Sequence, residues 1–228
     1  QGEDAVFARI AKRWLPVICL CILLLPSLSA CTIKATEHPD QLTYRLPTTL
    51  TIAVGQTLPG TDIRYQRMSD KGAHVLIKGQ EAIKRQGDSL DWRGQPLPGV
   101  DVDLQLRILW YNEQELRVVG TAKVVIKGVQ PRPAVITTSA PMHYTGPVFY
   151  SLARGAVLPG STLTYGAKTE EGVKLGGIEG YPFRQVGDSI SWEGVLREDV
   201  YLRLDLRVLQ FDERGLRVLG IVNLWLGH

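Results

Sequence analysis

The chain has 228 residues, 44% of them hydrophobic and 21% charged, and its 26 Lys and Arg against 23 Asp and Glu leave a net charge of +3. Acids and bases so nearly balanced and interspersed argue against a nucleic-acid partner. Three cysteines without a Cys-x-x-Cys pair, and His38, His74, His143 and His228 scattered without ligand spacing, argue against a transition-metal site, so no cofactor is expected.

In chain order, Arg9, Lys12 and Arg13 precede an apolar stretch from Trp14 to Leu25, followed by Pro26, Ser27 and the run Leu28-Ser29-Ala30-Cys31. Charged, apolar and then small residues are the layout of a secretory signal. The apolar stretch has about a dozen residues against the roughly 20 of a membrane-spanning helix, which favours a cleaved signal over a permanent anchor. In these residues the chain resembles the bacterial lipoproteins, whose lipobox runs Leu, small residue, Ala or Gly, Cys. The resemblance covers the first 31 residues and implies cleavage after Ala30, with Cys31 as an acylated first residue that attaches the protein to a membrane. It also implies an extracytoplasmic place in the cell envelope. Thr32 stands where Asp favours inner-membrane retention in the resembling lipoproteins, which points to the outer membrane if the host has one.

Residues 1–30 are therefore read as a signal peptide, and 31–43 as the lipidated cysteine and a polar tether. Cys19 and Cys21 would leave with the signal, and losing Arg9, Lys12, Arg13, Glu3 and Asp4 takes the net charge from +3 to about +2. With Cys31 committed to lipid, no disulfide is available. Stability must come from apolar burial, at roughly 25 cal/mol per Å².

The rest of the chain repeats itself at an offset of one hundred residues. Leu58-Pro59-Gly60 returns as Leu158-Pro159-Gly160, Gly87-Asp88-Ser89 as Gly187-Asp188-Ser189, and Leu116-Arg117-Val118 as Leu216-Arg217-Val218. Tyr44, Pro47, Tyr65, Trp92 and Gly120 match Tyr144, Pro147, Tyr165, Trp192 and Gly220. About two dozen identities over about 85 positions indicate a duplicated unit. The units are placed at 44–127 and 142–228, with a Pro-rich linker at 128–141 that carries Pro131, Pro133 and Pro141. Two separate beads and one fused body both remain open, and the linker favours beads.

Inside each unit the hydrophobic period is two. Val100, Val102, Leu104, Leu106 and Ile108 alternate with polar residues, as do Leu116, Val118, Ala122, Val124 and Ile126, so a long antiparallel hairpin is expected to close each unit. Shorter strands are expected near Thr49 to Val54, Asp62 to Arg67, Ala73 to Lys78 and Ser89 to Trp92, broken by Gly and Pro turns. The fold class is thus all-β: two tandem antiparallel sandwich or small-barrel units.

Gly87-Asp88-Ser89-Leu90 resembles the block that names one esterase family, but the resemblance stops at those four residues. The base and acid that such a serine needs are missing from the expected late position, and the motif recurs at the equivalent place in the second unit. A structural reading is preferred, in which Gly bends the chain, Asp bonds the turn backbone and Ser leads Trp92 or Trp192 into the core. Leu58-Pro59-Gly60-Thr61 resembles part of a sorting signal, yet a Pro-Gly type II turn explains both copies. Arg107, Arg117, Arg203, Arg207 and Arg217 among Asp101, Asp103 and Asp205 read as a charge-paired outer face.

Apolar residues interrupt that outer face in the second unit: Tyr201, Leu209 and Phe211 on one strand, and Leu219, Ile221 and Trp225 on the next. Both faces of this hairpin are apolar, so its outer side needs cover from the other unit, a loop, a partner protein, or a ligand or lipid. Tyr181 and Phe183 sit in a Gly-rich stretch where the copies diverge most. No converging catalytic set is found. The expected function is a non-enzymatic, lipid-anchored interaction module or accessory subunit with a cell-envelope protein partner; the alternative is a ligand-binding or hydrolytic domain with a cavity within or between the units.

Overall fold

The computed structural model describes residues 40–137 and 139–227, so Leu28, Ser29, Ala30 and Cys31 lie outside the described residues. The first half contains β1 (Gln41–Ala53), β2 (Ile63–Ser69), β3 (Gly72–Ile77), β4 (Gln80–Lys84), β5 (Trp92–Leu97), β6 (Val100–Tyr111) and β7 (Glu115–Lys127). A short β8 (Arg132–Pro133) follows. The second half repeats the order with β9 (Met142–Ala153), β10 (Thr164–Thr169), β11 (Gly172–Gly176), β12 (Phe183–Arg184), β13 (Ser189–Arg197), β14 (Val200–Phe211) and β15 (Gly215–Leu226).

Every strand pairing is antiparallel, and the architecture is all-β. The sheets are β1-β7-β6-β5 with β2-β3-β4 in the first half, and β8-β13-β14-β15-β9 with β10-β11-β12 in the second. The alternation in β6 and β7 buries every second side chain, from Val100 to Ile108 and from Leu116 to Ile126, and β14 and β15 do the same. Gly120 and Gly220 sit within β7 and β15 for a steric reason. A Cβ there would stand 1.9 Å from the Gln105 carbonyl oxygen and 2.0 Å from that of Asp205. Only glycine lets these strands approach.

Each hairpin end is tied down by a buried tyrosine. Tyr65 donates to the Asn112 carbonyl at 2.5 Å, and Tyr165 donates to the Asp212 carbonyl. The Asn112 and Asp212 side chains in turn accept backbone N–H groups within their own loops. At the Pro-Gly turns the Leu58 and Leu158 carbonyls accept from the N–H of Thr61 and Ser161, with φ of +73° at Gly60 and +78° at Gly160. This is the expected type II geometry.

Several boundaries differ from the sequence expectation. β1 starts at Gln41 rather than near Thr49, because Tyr44, Leu46 and Thr48 already alternate into the core. β4 was not expected, since Gln80-Glu81-Ala82-Ile83-Lys84 lacks β-branched density and is specified by pairing with β3. In the first half the strand begins at Trp92, with Ser89 only bridging Arg107, and Trp92 is half-buried where Trp192 is buried.

The halves also join more closely than beads on a linker. One continuous hydrophobic core runs through both, and the described residues fall in one compact unit. The linker adds to the second sheet: Arg132 and Pro133 of β8 pair with Val195 and Gly194 of β13. The first strands of the two halves, β1 and β9, are sheet edges that meet where a Cβ on Gly146 would stand 3.0 Å from Leu46 Cδ2 and 3.0 Å from Pro47 Cδ. Pro47 and Pro147 lie at this meeting point and lack the N–H needed to extend a ladder, which keeps two exposed edges from merging into one sheet.

Contacts between the halves are reciprocal. Gly60 of the first half packs on Met142, and Gly160 of the second packs on Leu42, which holds the position equivalent to Met142. Arg197 adds a one-sided link, donating from Nη1 to the Lys127 carbonyl at 2.5 Å.

Candidate functional site

Between β1 and β9 lies a cavity of about 380 Å³. Its walls are Gln41–Leu46 of β1, Val129 and Pro131 of the linker, Pro147–Tyr150 of β9, and Val157–Ser161 around the second Pro-Gly turn. This size and mostly apolar lining match those of small-molecule pockets. Both halves are needed to make it.

Two buried phenols lie at the heart of the cavity, with Gln41, Thr43, Arg45 and Ser161 also in its lining. Tyr44 is 5% exposed and Tyr150 9%, and neither hydroxyl meets hydrogen-bond geometry with any partner. They lie within hydrogen-bonding reach of each other, close enough for each to weigh on the other's ionisation. Burial pushes Tyr150 up to about 12 and Tyr44 well above its ordinary value, so both are neutral O–H donors at physiological pH. A buried hydroxyl left without a partner costs about 1–3 kcal/mol, and two phenols that have only each other leave hydrogen-bonding capacity in this space unused. The neighbouring polar group, the Ser161 hydroxyl, is satisfied by the Leu158 carbonyl and the Leu163 N–H.

The first half holds Leu50 and Thr49 where the second has Tyr150 and Phe149. Most aligned positions of the two halves differ, so this exchange does not stand out in sequence. The sequence expectation of divergence centres on Tyr181 and Phe183. Those two rings meet edge to face with centroids 5.4 Å apart, and Arg184 donates to both of their carbonyls. They belong to the β10-β11-β12 side of the second half, outside the β14–β15 face and the cavity lining.

The outer face of β14 and β15 is uncovered by the first half. Leu209, Leu219 and Ile221 are 41%, 44% and 44% exposed. Phe149 pairs with Leu219 and Pro147 with Ile221, so the apolar strip continues onto β9, and both added residues also line the cavity. Tyr201 and Trp225 are cross-strand partners at the other end of this face and are only partly exposed. His143 stacks on Trp225 at 4.8 Å, and Arg203, bonded to Glu193 at 2.6 and 2.8 Å, lies over its ring. Phe211 departs from the expected row. A β-bulge between Val208 and Gln210 shifts the alternation, so Phe211 packs on the core opposite Leu216.

Of the outer arginines, Arg203 and Arg117 pair with Glu193 and Glu115, while Arg107 and Arg207 donate to the carbonyls of Gly87 and Gly187. Asp88 and Asp188 accept the N–H of Arg85 and Gln185, the expected turn role. Neither Ser89 nor Ser189 has an imidazole in hydrogen-bond reach among the described residues.

One serine elsewhere does. Ser69 Oγ is 2.8 Å from His74 Nε2, and His74 Nδ1 is 2.6 Å from Glu81 Oε1. The order is that of a nucleophile, base and acid, but other roles account for each group. Arg67 also reaches His74 Nε2, and the Ser69 hydroxyl bonds the Gly72 carbonyl and the Lys71 N–H of its own turn. Thr169 makes the same turn bond to Gly172 in the second half, where Lys174 replaces the histidine. Buried His74 is thus held within a satisfied polar network. Among the described residues no group of His, Cys, Asp and Glu side chains is placed to hold a metal, and no helix is long and apolar enough to cross a membrane.

No family model, curated protein or solved structure matches the chain.

Proposed function

We propose that this is a lipid-anchored, extracytoplasmic protein with duplicated β-units, acting as a non-enzymatic interaction module or accessory subunit at a membrane surface, on the outer membrane if the host has one. The observation that carries this reading is the strip of Phe149, Leu209, Leu219 and Ile221, exposed across β9, β14 and β15. Exposed apolar side chains on neighbouring strands, as where Phe149 pairs with Leu219, are what a protein partner covers. The lipobox resemblance at Leu28-Ser29-Ala30-Cys31 supports the anchoring.

Two measurements test it. Cys31→Ser is expected to release the protein from membranes or leave an uncleaved precursor; unchanged detergent partitioning, with no acyl mass on residue 31, overturns the anchor. Mild-detergent extraction is expected to yield a stoichiometric complex that Leu219→Ser with Ile221→Ser dissolves. Persistence of the complex in that variant moves the interface elsewhere.

The cavity favours a second reading, a ligand-binding protein. Two buried phenols contributed by opposite halves, with only each other as polar neighbours in hydrogen-bonding reach, are its support.

A further inference from the structure

We infer that the cavity between β1 and β9 binds an apolar molecule bearing a carbonyl-type acceptor, a carboxylic acid or its ester, with the Tyr44 and Tyr150 hydroxyls as donors. The inference rests on the ligand-binding reading of the cavity and is independent of membrane attachment.

Three features select this chemistry. The two phenols come from opposite halves, are both buried, and face each other without either completing a well-formed hydrogen bond. Packing does not require the second one, since Leu50 fills the same position in the first half. A protonated phenol offers one O–H, and a carbonyl or carboxylate oxygen has lone pairs enough to accept from both. Apolar side chains, among them Leu42, Val148, Phe149 and Val157, form most of the remaining wall, so the rest of the ligand is hydrocarbon. Arg45 lines the cavity while exposed to solvent, in no ion pair among the described residues. A cation there favours an anionic or carbonyl head group over an amine.

Size narrows the choice. At the roughly 30 Å³ that a water-sized group occupies in a liquid, about 380 Å³ holds about a dozen non-hydrogen atoms. A medium-chain acid such as decanoate has that size. The shared chemistry is the acyl carbonyl, which a free acid or an esterified lipid can supply.

The test is thermal unfolding of the full-length chain with decanoate, methyl decanoate and decyltrimethylammonium, which has the same tail and no acceptor. Decanoate, the methyl ester or both are expected to raise the midpoint saturably, by several degrees at saturation, while decyltrimethylammonium does not. Tyr44→Phe with Tyr150→Phe, which keeps both rings, is expected to weaken binding at least tenfold against its own unliganded midpoint. Arg45→Gln distinguishes the sources. Loss of decanoate binding alone identifies the free acid, and ester binding that ignores Arg45 identifies the esterified form. No saturable shift with either acyl probe, an equal shift with decyltrimethylammonium, or unchanged binding in the double Phe variant overturns the inference. None of these results bears on the Cys31→Ser outcome.

Discussion

Gly60 stands against Met142 where the two halves meet, so closely that a Cβ on the glycine would lie 2.3 Å from the methionine sulfur. Its backbone is also left-handed, at φ +73°. These two constraints can be separated, because Gly155 has φ +81° and nothing within 4 Å of its Cβ position. Gly155→Ala is expected to cost about 1 kcal/mol from backbone strain alone. Gly60→Ala adds overpacking at the junction, about 1–3 kcal/mol more. Denaturant unfolding of the two variants checks the difference, and equal costs would mean that Met142 yields freely.

Gly120→Ala and Gly220→Ala meet a harder obstacle. Their new methyl groups would face carbonyl oxygens of β6 and β14, and backbone in the middle of a sheet cannot turn aside as a side chain can. Each substitution is expected to cost about 3 kcal/mol or more, measured by the shift of the urea midpoint. A loss below about 1 kcal/mol in either would show that the ladder there can spread.

The buried phenols set an alkaline limit. Tyr144 and Tyr150 are pushed up to about 12 by burial, against an ordinary value of 10.0, so the folded chain keeps protons that the unfolded chain releases first. Stability from this source is complete below pH 10 and falls as pH rises from about 10 toward 12. Spectrophotometric titration should show a tyrosine class ionising only together with unfolding. Tyr150→Phe should shift the alkaline transition upward.

An acid limit comes from the first half. The hydrogen bond from His74, then the charges of His74 and Arg67, hold the Glu81 carboxyl below its ordinary value of 4.5. Its contribution is present above pH 4.5 and is lost as pH falls below that value. Glu81→Gln is expected to flatten the acid limb of the stability profile and leave the neutral region little changed; an unaltered acid limb counts against this source.

Tyr65→Phe and Tyr165→Phe each remove the bond from a fully buried ring to the carbonyl at a hairpin end. A loss of about 1–2 kcal/mol is expected for each, with faster amide exchange concentrated in the Asn112 and Asp212 loops. Uniform exchange changes would assign the tyrosines to the core alone.

The long hairpins were legible in sequence because alternation over ten or more residues, as in Val100 to Ile108, has one solution when a single face is buried. β4 was not, since its residues carry little intrinsic strand preference and are ordered by β3. Phe211 was misplaced because a one-residue bulge reverses every later side chain, and a bulge leaves no mark in a pattern of period two. The cavity was hidden for a different reason. Tyr44 and Tyr150 are about a hundred positions apart, and what joins them is the approach of two sheet edges, not any local spacing.

Reciprocal contacts, Gly60 on Met142 and Gly160 on Leu42, are the grammar of a symmetric dimer, here written in a single chain. In a dimer of identical subunits every change at the contact appears twice, and dilution separates the partners. Covalent joining removes both restrictions. The linker fixes one half near the other at an effective concentration on the order of millimolar, whatever the amount of protein. The two ends of the junction are then free to differ. One carries methionine packed tightly on its glycine, and the other has a second tyrosine beside an open space.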